Sequence, residues 1–191
     1  MDFAAVFRFL IENFQREKID FALIGGFALY ASGIARTTRD IDLLISQKDV
    51  PKVKKIMLSH GYELLYESED VSNYIGKNVK LGRVDFLHAH RKYSQAMLRR
   101  ASFADIFGGK FKVKVLRIED IIGLKVQSSS NDPERYHQDM SDIENLIRSN
   151  YKNLDIKLIR EYFDLFNRGR ELEDILRKIK DVKQAREERN A

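Results

Sequence analysis

The chain of 191 residues carries 34 Lys and Arg against 29 Asp and Glu, a formal net charge of +5, with two prolines and no cysteine. That length fits one domain, or one domain with a small helical appendage, and the 43% apolar content excludes a disordered or fibrous chain. The lack of cysteine excludes a disulfide framework and a thiolate metal site. Asp2, Arg8 and Glu12 interrupt the N-terminal apolar residues and no run reaches membrane-spanning length, so a cytoplasmic protein without a membrane partner is expected. The basic excess is interleaved with acids, the pattern of a solvated surface with a mild attraction for nucleotides or RNA.

In chain order, Phe3, Val6, Phe7, Leu10, Ile11 and Phe14 recur at helical spacing and predict an amphipathic first helix ending before Lys18. Phe21 to Ile24 read as a short buried strand, closed by Gly25-Gly26 and followed by a helix from Phe27 to Ser32 that Gly33 ends. Residues 41 to 45 alternate, with Ile41, Leu43 and Ile45 on one strand face and Asp40, Asp42 and Leu44 on the other. Asp49 before Val50-Pro51 has the form of a helix N-cap, with the helix running to Ser59 before His60-Gly61. From Tyr62 to Phe111 the pattern is of short extended segments around one basic helix, Tyr93 to Arg100. Within that stretch Arg83 to Leu87 alternate, with Asp85 opposite Val84 and Phe86, and Gly108-Gly109-Lys110 reads as a hairpin turn before a half-exposed strand in which Phe111, Val113 and Val115 alternate with Lys112 and Lys114 and which ends at Arg117. Helical periodicity then takes over in residues 118 to 127, 134 to 149, 155 to 167 and 170 to 183, with a polar loop expected from Ser128 to Pro133. The fold class is therefore α+β: a mixed sheet packed with helices in residues 1–117, then a C-terminal helical bundle in residues 118–191.

Two carboxylates at i and i+2 of one strand face stand about 7 Å apart at Cα, close enough for both to ligate divalent cations. Asp85, on a second alternating strand, completes a set of three if the strands are neighbours. An all-carboxylate donor set suits Mg²⁺ or Mn²⁺ better than zinc. The Gly25-Gly26 turn lets backbone amides approach a phosphate closely. His88 and His90 lack a third ligand nearby and read as strand-end histidines. Arg135 and Asp139, at i and i+4, suit an intrahelical pair equally well as a site feature.

Gly25-Gly26, Arg36-Thr37-Thr38-Arg39-Asp40-Ile41-Asp42 and Val84-Asp85-Phe86 together resemble the nucleotidyltransferase superfamily, of polymerase-beta-like fold. Arg36, Thr38, Asp40 and Asp42 match the Arg-x-Thr-x-Asp-x-Asp of its small prokaryotic members, the AbiEii-like toxins and minimal nucleotidyltransferases. Glu119, Asp120, Lys125, Arg135, Asp139 and Asp142 are similar to a helical segment of those relatives, with Gln138 in place of their basic residue. The resemblance covers residues 20 to 147 and leaves the last two helices without a motif. It implies an enzyme of EC 2.7.7 type that moves a nucleoside monophosphate from an NTP to a hydroxyl and releases pyrophosphate. Asp40, Asp42 and Asp85 would be the catalytic metal ligands for two Mg²⁺ or Mn²⁺ ions, and Gly25, Gly26, Arg36, Thr38 and Lys125 would bind the nucleotide, ATP among the candidates.

The resemblance favours RNA, above all tRNA, as acceptor in a toxin–antitoxin setting, in which an antitoxin would be a partner. A second reading is a small-molecule, antibiotic-type nucleotidyltransferase, whose cationic substrate would want an acidic, aromatic cleft; the acids at 63, 67, 69 and 70 with Tyr62, Tyr66 and Tyr74 could form one. A third, a non-catalytic nucleotide-binding partner of a toxin–antitoxin pair, is opposed by the presence of all three acids.

Overall fold

The structure, a computed structural model, describes residues 1–34 and 37–189, with side chains described through residue 182. The chain divides into two compact units, Met1–Arg117 and Ile118–Ala191. In the first, the elements run α1 (Phe3–Arg16), β1 (Phe21–Leu23), α2 (Gly25–Ala31), β2 (Asp40–Ser46), α3 (Val50–Ser59), β3 (Tyr62–Glu67), β4 (Val71–Gly76), β5 (Arg83–Ala89), α4 (Lys92–Arg100), β6 (Ser102–Ile106) and β7 (Phe111–Val115). The seven strands form one mixed sheet of order β3-β4-β5-β2-β1-β7-β6. β2 lies parallel to β5 and β1 parallel to β7, while the remaining pairs are antiparallel.

The alternation read from the sequence sets the faces of this sheet. Ile41, Leu43 and Ile45 of β2 and Val84 and Phe86 of β5 are buried to 1% exposure or less. α1 covers that face, its Phe14 ring 6.1 Å from Phe86. Helix α1 starts where Asp2 accepts a hydrogen bond from the Ala5 amide at 3.1 Å, so the cap holds one of the amides that has no intrahelical partner. The two strands meet in parallel register, Asp42 beside Asp85, and both carboxylates therefore rise from the opposite face of the sheet.

The second unit holds α5 (Ile118–Asn131), α6 (Tyr136–Asn150), α7 (Ile156–Asp164) and α8 (Gly169–Arg189). Ile122 and Val126 of α5, Ile143 and Ile147 of α6, Ile159 and Phe163 of α7 and Leu172 of α8 are all fully buried. The expected loop from Ser128 onward is shorter than the composition suggests, because α5 continues through Asn131. Ser129 and Ser130 donate their hydroxyls back to the Val126 carbonyl at 3.2 and 2.7 Å, and the Arg168 guanidinium donates to both at 2.7 and 3.0 Å, so this polar run stays helical.

Two other local expectations change. Asp49 precedes α3 in sequence, but its side chain makes no capping hydrogen bond; it is 3% exposed and lies 3.7 Å from the Lys52 ammonium. Tyr62 and Tyr74 are core residues at 1% and 0% exposure, and burial pushes both phenols up to about 12. Glu63 and Glu67 pair with Lys77 and Lys54. Buried in the core, Tyr62 and Tyr74 therefore do not line the expected acidic, aromatic cleft, whereas Tyr66 is exposed. Among the described residues, no helix is long and apolar enough to cross a membrane.

His88, buried at 3% exposure, sits with Nε2 3.0 Å from the Ser72 hydroxyl and Nδ1 3.0 Å from the Glu69 carbonyl. Burial pushes its pKa below the ordinary 6.5. The unfolded chain then takes up a proton at this ring as the pH drops below about 6.5, and the folded chain does so only at lower pH. The stability His88 contributes is complete above that pH and declines below it. Urea midpoints between pH 7 and 5 should fall for the wild type, and His88→Gln, which cannot titrate, should flatten that slope.

Candidate active site

β1 ends beside the middle of β2, where the Ile24 amide donates to the Asp42 carbonyl at 3.0 Å. The next residue, Gly25, turns the chain into α2 at φ +60°, a left-handed conformation that favours glycine. A Cβ there would stand 2.0 Å from Asp42 Oδ2, so the backbone lies directly against the carboxylate. At Gly26 a Cβ would meet the Thr38 Cβ at 2.6 Å, which brings the residues before β2 against the start of α2. Paired glycines here are required by close approach to Asp42 and Thr38, two residues to either side of Asp40.

Asp40, Asp42 and Asp85 converge as the sequence suggested, each with a carboxylate oxygen within 4.8 Å of the others, and all three are half-buried. Asp40 and Asp42 come from one strand, and Asp85 comes from β5, paired directly with Asp42. Thr38 Oγ1 lies 3.1 Å from both the Asp40 carbonyl and Asp40 Oδ1, bracing the residue that opens β2. The donor set is all carboxylate, and three acids this close suit a hard divalent cation. A cavity of about 220 Å³ adjoins the turn, lined by Gly26, Phe27, Tyr30, Thr38, Ile106 and Phe107.

Two residues that the sequence reading did not single out complete the site. Arg83 Nε donates to both oxygens of Asp85, at 2.9 and 2.8 Å. Asn73 of β4, the register partner of Asp85, donates from Nδ2 to Asp85 Oδ1 at 2.7 Å. The hydrogen bond to Asp85, with the charges of Asp85, Asp40 and Asp42 behind it, pushes the Arg83 pKa above its already high ordinary value. Arg83 was detectable in principle, since i and i+2 of one strand share a face. Asn73 was not, because its position depends on the antiparallel register of β4 against β5.

Arg36 lies outside the described residues. Lys125 belongs to the helical unit, where it is 9% exposed and donates to Asp139 Oδ1 at 2.8 Å and Asp142 Oδ2 at 2.6 Å. Burial alone would raise the Asp139 carboxyl, but the hydrogen bond and charge of Lys125 outweigh it and hold that carboxyl below the usual carboxylate range. Arg135 Nε stands 3.5 Å from Asp139 Oδ2, the expected i to i+4 pair. At the other end of β5, His88 bonds within the sheet as described and His90 pairs with Asp70 at 2.7 Å. Among the described residues, neither belongs to a metal-competent cluster.

The arrangement matches a known fold. The antibiotic-resistance factor ANT(2'')-Ia, seen in a solution structure, is similar over 91% of this chain and 97% of its own, with a TM-score of 0.63 and 15% identity. The lincosamide antibiotic adenylyltransferase LnuA, bound to lincomycin, is similar over 74% of this chain and 94% of its own, with a TM-score of 0.54 and 18% identity. An antigenic nucleotidyltransferase-like protein from Paracoccidioides brasiliensis covers 88% of each chain, with a TM-score of 0.50 and 18% identity. No curated protein matches the chain. A family profile described as "Uncharacterised nucleotidyltransferase" matches residues 3–181. With the sheet, the glycine turn and the three aspartates in place, that match across most of the chain shows that it belongs to this nucleotidyltransferase family.

Proposed function

We propose that this chain transfers a nucleoside monophosphate from a nucleoside triphosphate to a hydroxyl acceptor, with release of pyrophosphate. The observation that carries this reading is the convergence of Asp40, Asp42 and Asp85 within 4.8 Å beside the Gly25 turn. These acids would hold two divalent ions, Mg²⁺ or Mn²⁺, with Asp85 on the side of the attacking hydroxyl. Bound there, such ions polarise the α-phosphoryl group and neutralise the leaving pyrophosphate. The protein's own part is positioning. The amides of Gly25 and Gly26 face the β- and γ-phosphates, and Thr38 keeps Asp40 directed at the site. Asp85 accepts the proton of the attacking hydroxyl as the new P–O bond forms and the bond to pyrophosphate breaks. Arg36 adds positive charge to the triphosphate in this scheme. The hydrogen bonds of Lys125 to Asp139 and Asp142 support a structural role in the helical unit ahead of nucleotide contact.

For the acceptor, we place a small hydroxylated molecule first. Supporting this are the likeness to an antibiotic-resistance factor over 91% of this chain and to an antibiotic adenylyltransferase over 74% of it, and the compact, aromatic-flanked cavity beside Gly26 and Thr38. An RNA acceptor, as in the AbiEii-like toxins, is the second reading, favoured by the net charge of +5. Incubation with α-labelled NTPs, Mg²⁺ and either total RNA or an aminoglycoside and lincosamide panel separates them. Label in the small molecules supports the first reading and label in RNA the second. Nucleotide binding with label in neither acceptor, nor on the protein itself, would overturn both.

A further inference from the structure

We propose that Arg83 is a resident counter-cation of the three-aspartate site: it holds the Asp85 carboxylate in place and weakens the hold of the site on a divalent ion. This rests on the metal-binding reading above. The Arg83 Nε–H reaches both Asp85 oxygens, at 2.9 and 2.8 Å, and in the parallel register of β2 and β5 Arg83 stands beside Asp40. Its cation therefore lies on the same sheet face as the carboxylates it balances. A guanidinium remains charged at every accessible pH, so it opposes the approach of any second cation to these acids.

The neighbours of Asp85 divide the work. Asn73 is neutral, holds Oδ1 at 2.7 Å, and can keep that bond when an ion arrives, because a carboxylate offers about four lone-pair sites. Arg83 carries the charge that competes. Its side chain is 48% exposed against 17% for Asp85, so the guanidinium can swing toward water, or toward a bound triphosphate, while the carboxylate stays where the sheet places it. An ion arriving with a triphosphate brings negative charge that Arg83 can pair with instead, whereas a free ion meets the guanidinium still seated on Asp85. Arg83 is thus a positioning residue that favours ions delivered with nucleotide over free ions.

The test is a Mn²⁺ titration without nucleotide, read by the electron paramagnetic resonance signal of free Mn²⁺, on the wild type, Arg83→Ala and Asp40→Asn. Arg83→Ala should bind Mn²⁺ about tenfold more tightly than the wild type, with the gain shrinking at high salt. The advantage of adding ATP to Mn²⁺ binding should be smaller in Arg83→Ala than in the wild type. If Arg83→Ala fails to fold, Arg83→Gln retains the aliphatic stem and is judged by the same criterion. Mn²⁺ affinity that is unchanged or weaker in the variant overturns the role of Arg83. Mn²⁺ that binds neither the wild type nor Arg83→Ala, or that binds Asp40→Asn as well as the wild type, overturns the metal-site reading first and this inference with it.

Discussion

Asp40→Asn and Asp85→Asn should each lower the rate of nucleotidyl transfer on the order of 10³-fold while leaving the thermal midpoint within a few degrees of the wild type. The size follows from losing several kcal/mol of charge stabilisation that a metal ligand provides only while the reaction proceeds. The small effect on stability follows from location. All three aspartates are half-buried rather than core, and removing one negative charge from a cluster within 4.8 Å relieves repulsion. The two variants should differ in one respect. Asp40→Asn leaves the Arg83 to Asp85 pair intact, whereas Asp85→Asn removes the carboxylate that Arg83 and Asn73 hold and should cost slightly more stability. Transfer of labelled nucleotide and a melting curve on the same preparations measure both effects. A fully active Asp40→Asn protein would remove the metal site from the mechanism.

Lys125→Met should lower the unfolding free energy by about 3–5 kcal/mol, the cost of breaking a buried ion pair from one side. Lys125 serves two carboxylates at once, Asp139 at 2.8 Å and Asp142 at 2.6 Å, and these are 1% and 9% exposed. Without the ammonium, the two acids face each other, with Arg135 Nε 3.5 Å from Asp139 Oδ2. The folded pKa of Asp139, held down by Lys125 in the wild type, should then rise above its unfolded value. The variant should accordingly regain stability as the pH falls and the carboxyl is neutralised, whereas in the wild type the contribution of Asp139 is lost as the pH falls through its folded pKa. Denaturation curves at neutral and mildly acidic pH show this reversal directly. A Lys125→Met protein of wild-type stability with a raised KM for NTP would instead assign Lys125 to the nucleotide.

The family resemblance was legible because its marks are local. A glycine pair after a short apolar run, an Asp-x-Asp in strand alternation and a second alternating strand with Asp85 each depend on neighbours within a few residues, where backbone sterics and side-chain period dominate. The same locality explains the hairpin turn at Gly108-Gly109, both of which adopt positive φ between β6 and β7. It also explains the misreadings. Ser128, Ser129 and Ser130 have the composition of a loop, yet Arg168, some forty residues away, gives hydroxyls of that run a partner within the helix. Tyr62 and Tyr74 looked available to a ligand because composition does not reveal which face of an edge hairpin is covered. The resemblance to toxin-like relatives was narrower than what the family match supports.

By itself, the sequence determined the α+β class, the strand faces and the identity of the three acids, because alternation within a strand dictates which side chains share a side. Only the tertiary structure decided what those acids touch. Pairing β5 between β2 and β4 brought Asp42 and Asn73 to either side of Asp85, and the approach of β1 to β2 placed Gly25 against Asp42 with no room for a side chain. Packing of α5 on α6 enclosed Lys125 between two carboxylates. Strand register and helix packing are choices made between segments far apart in the chain, and they are set by the whole buried surface rather than by any one motif.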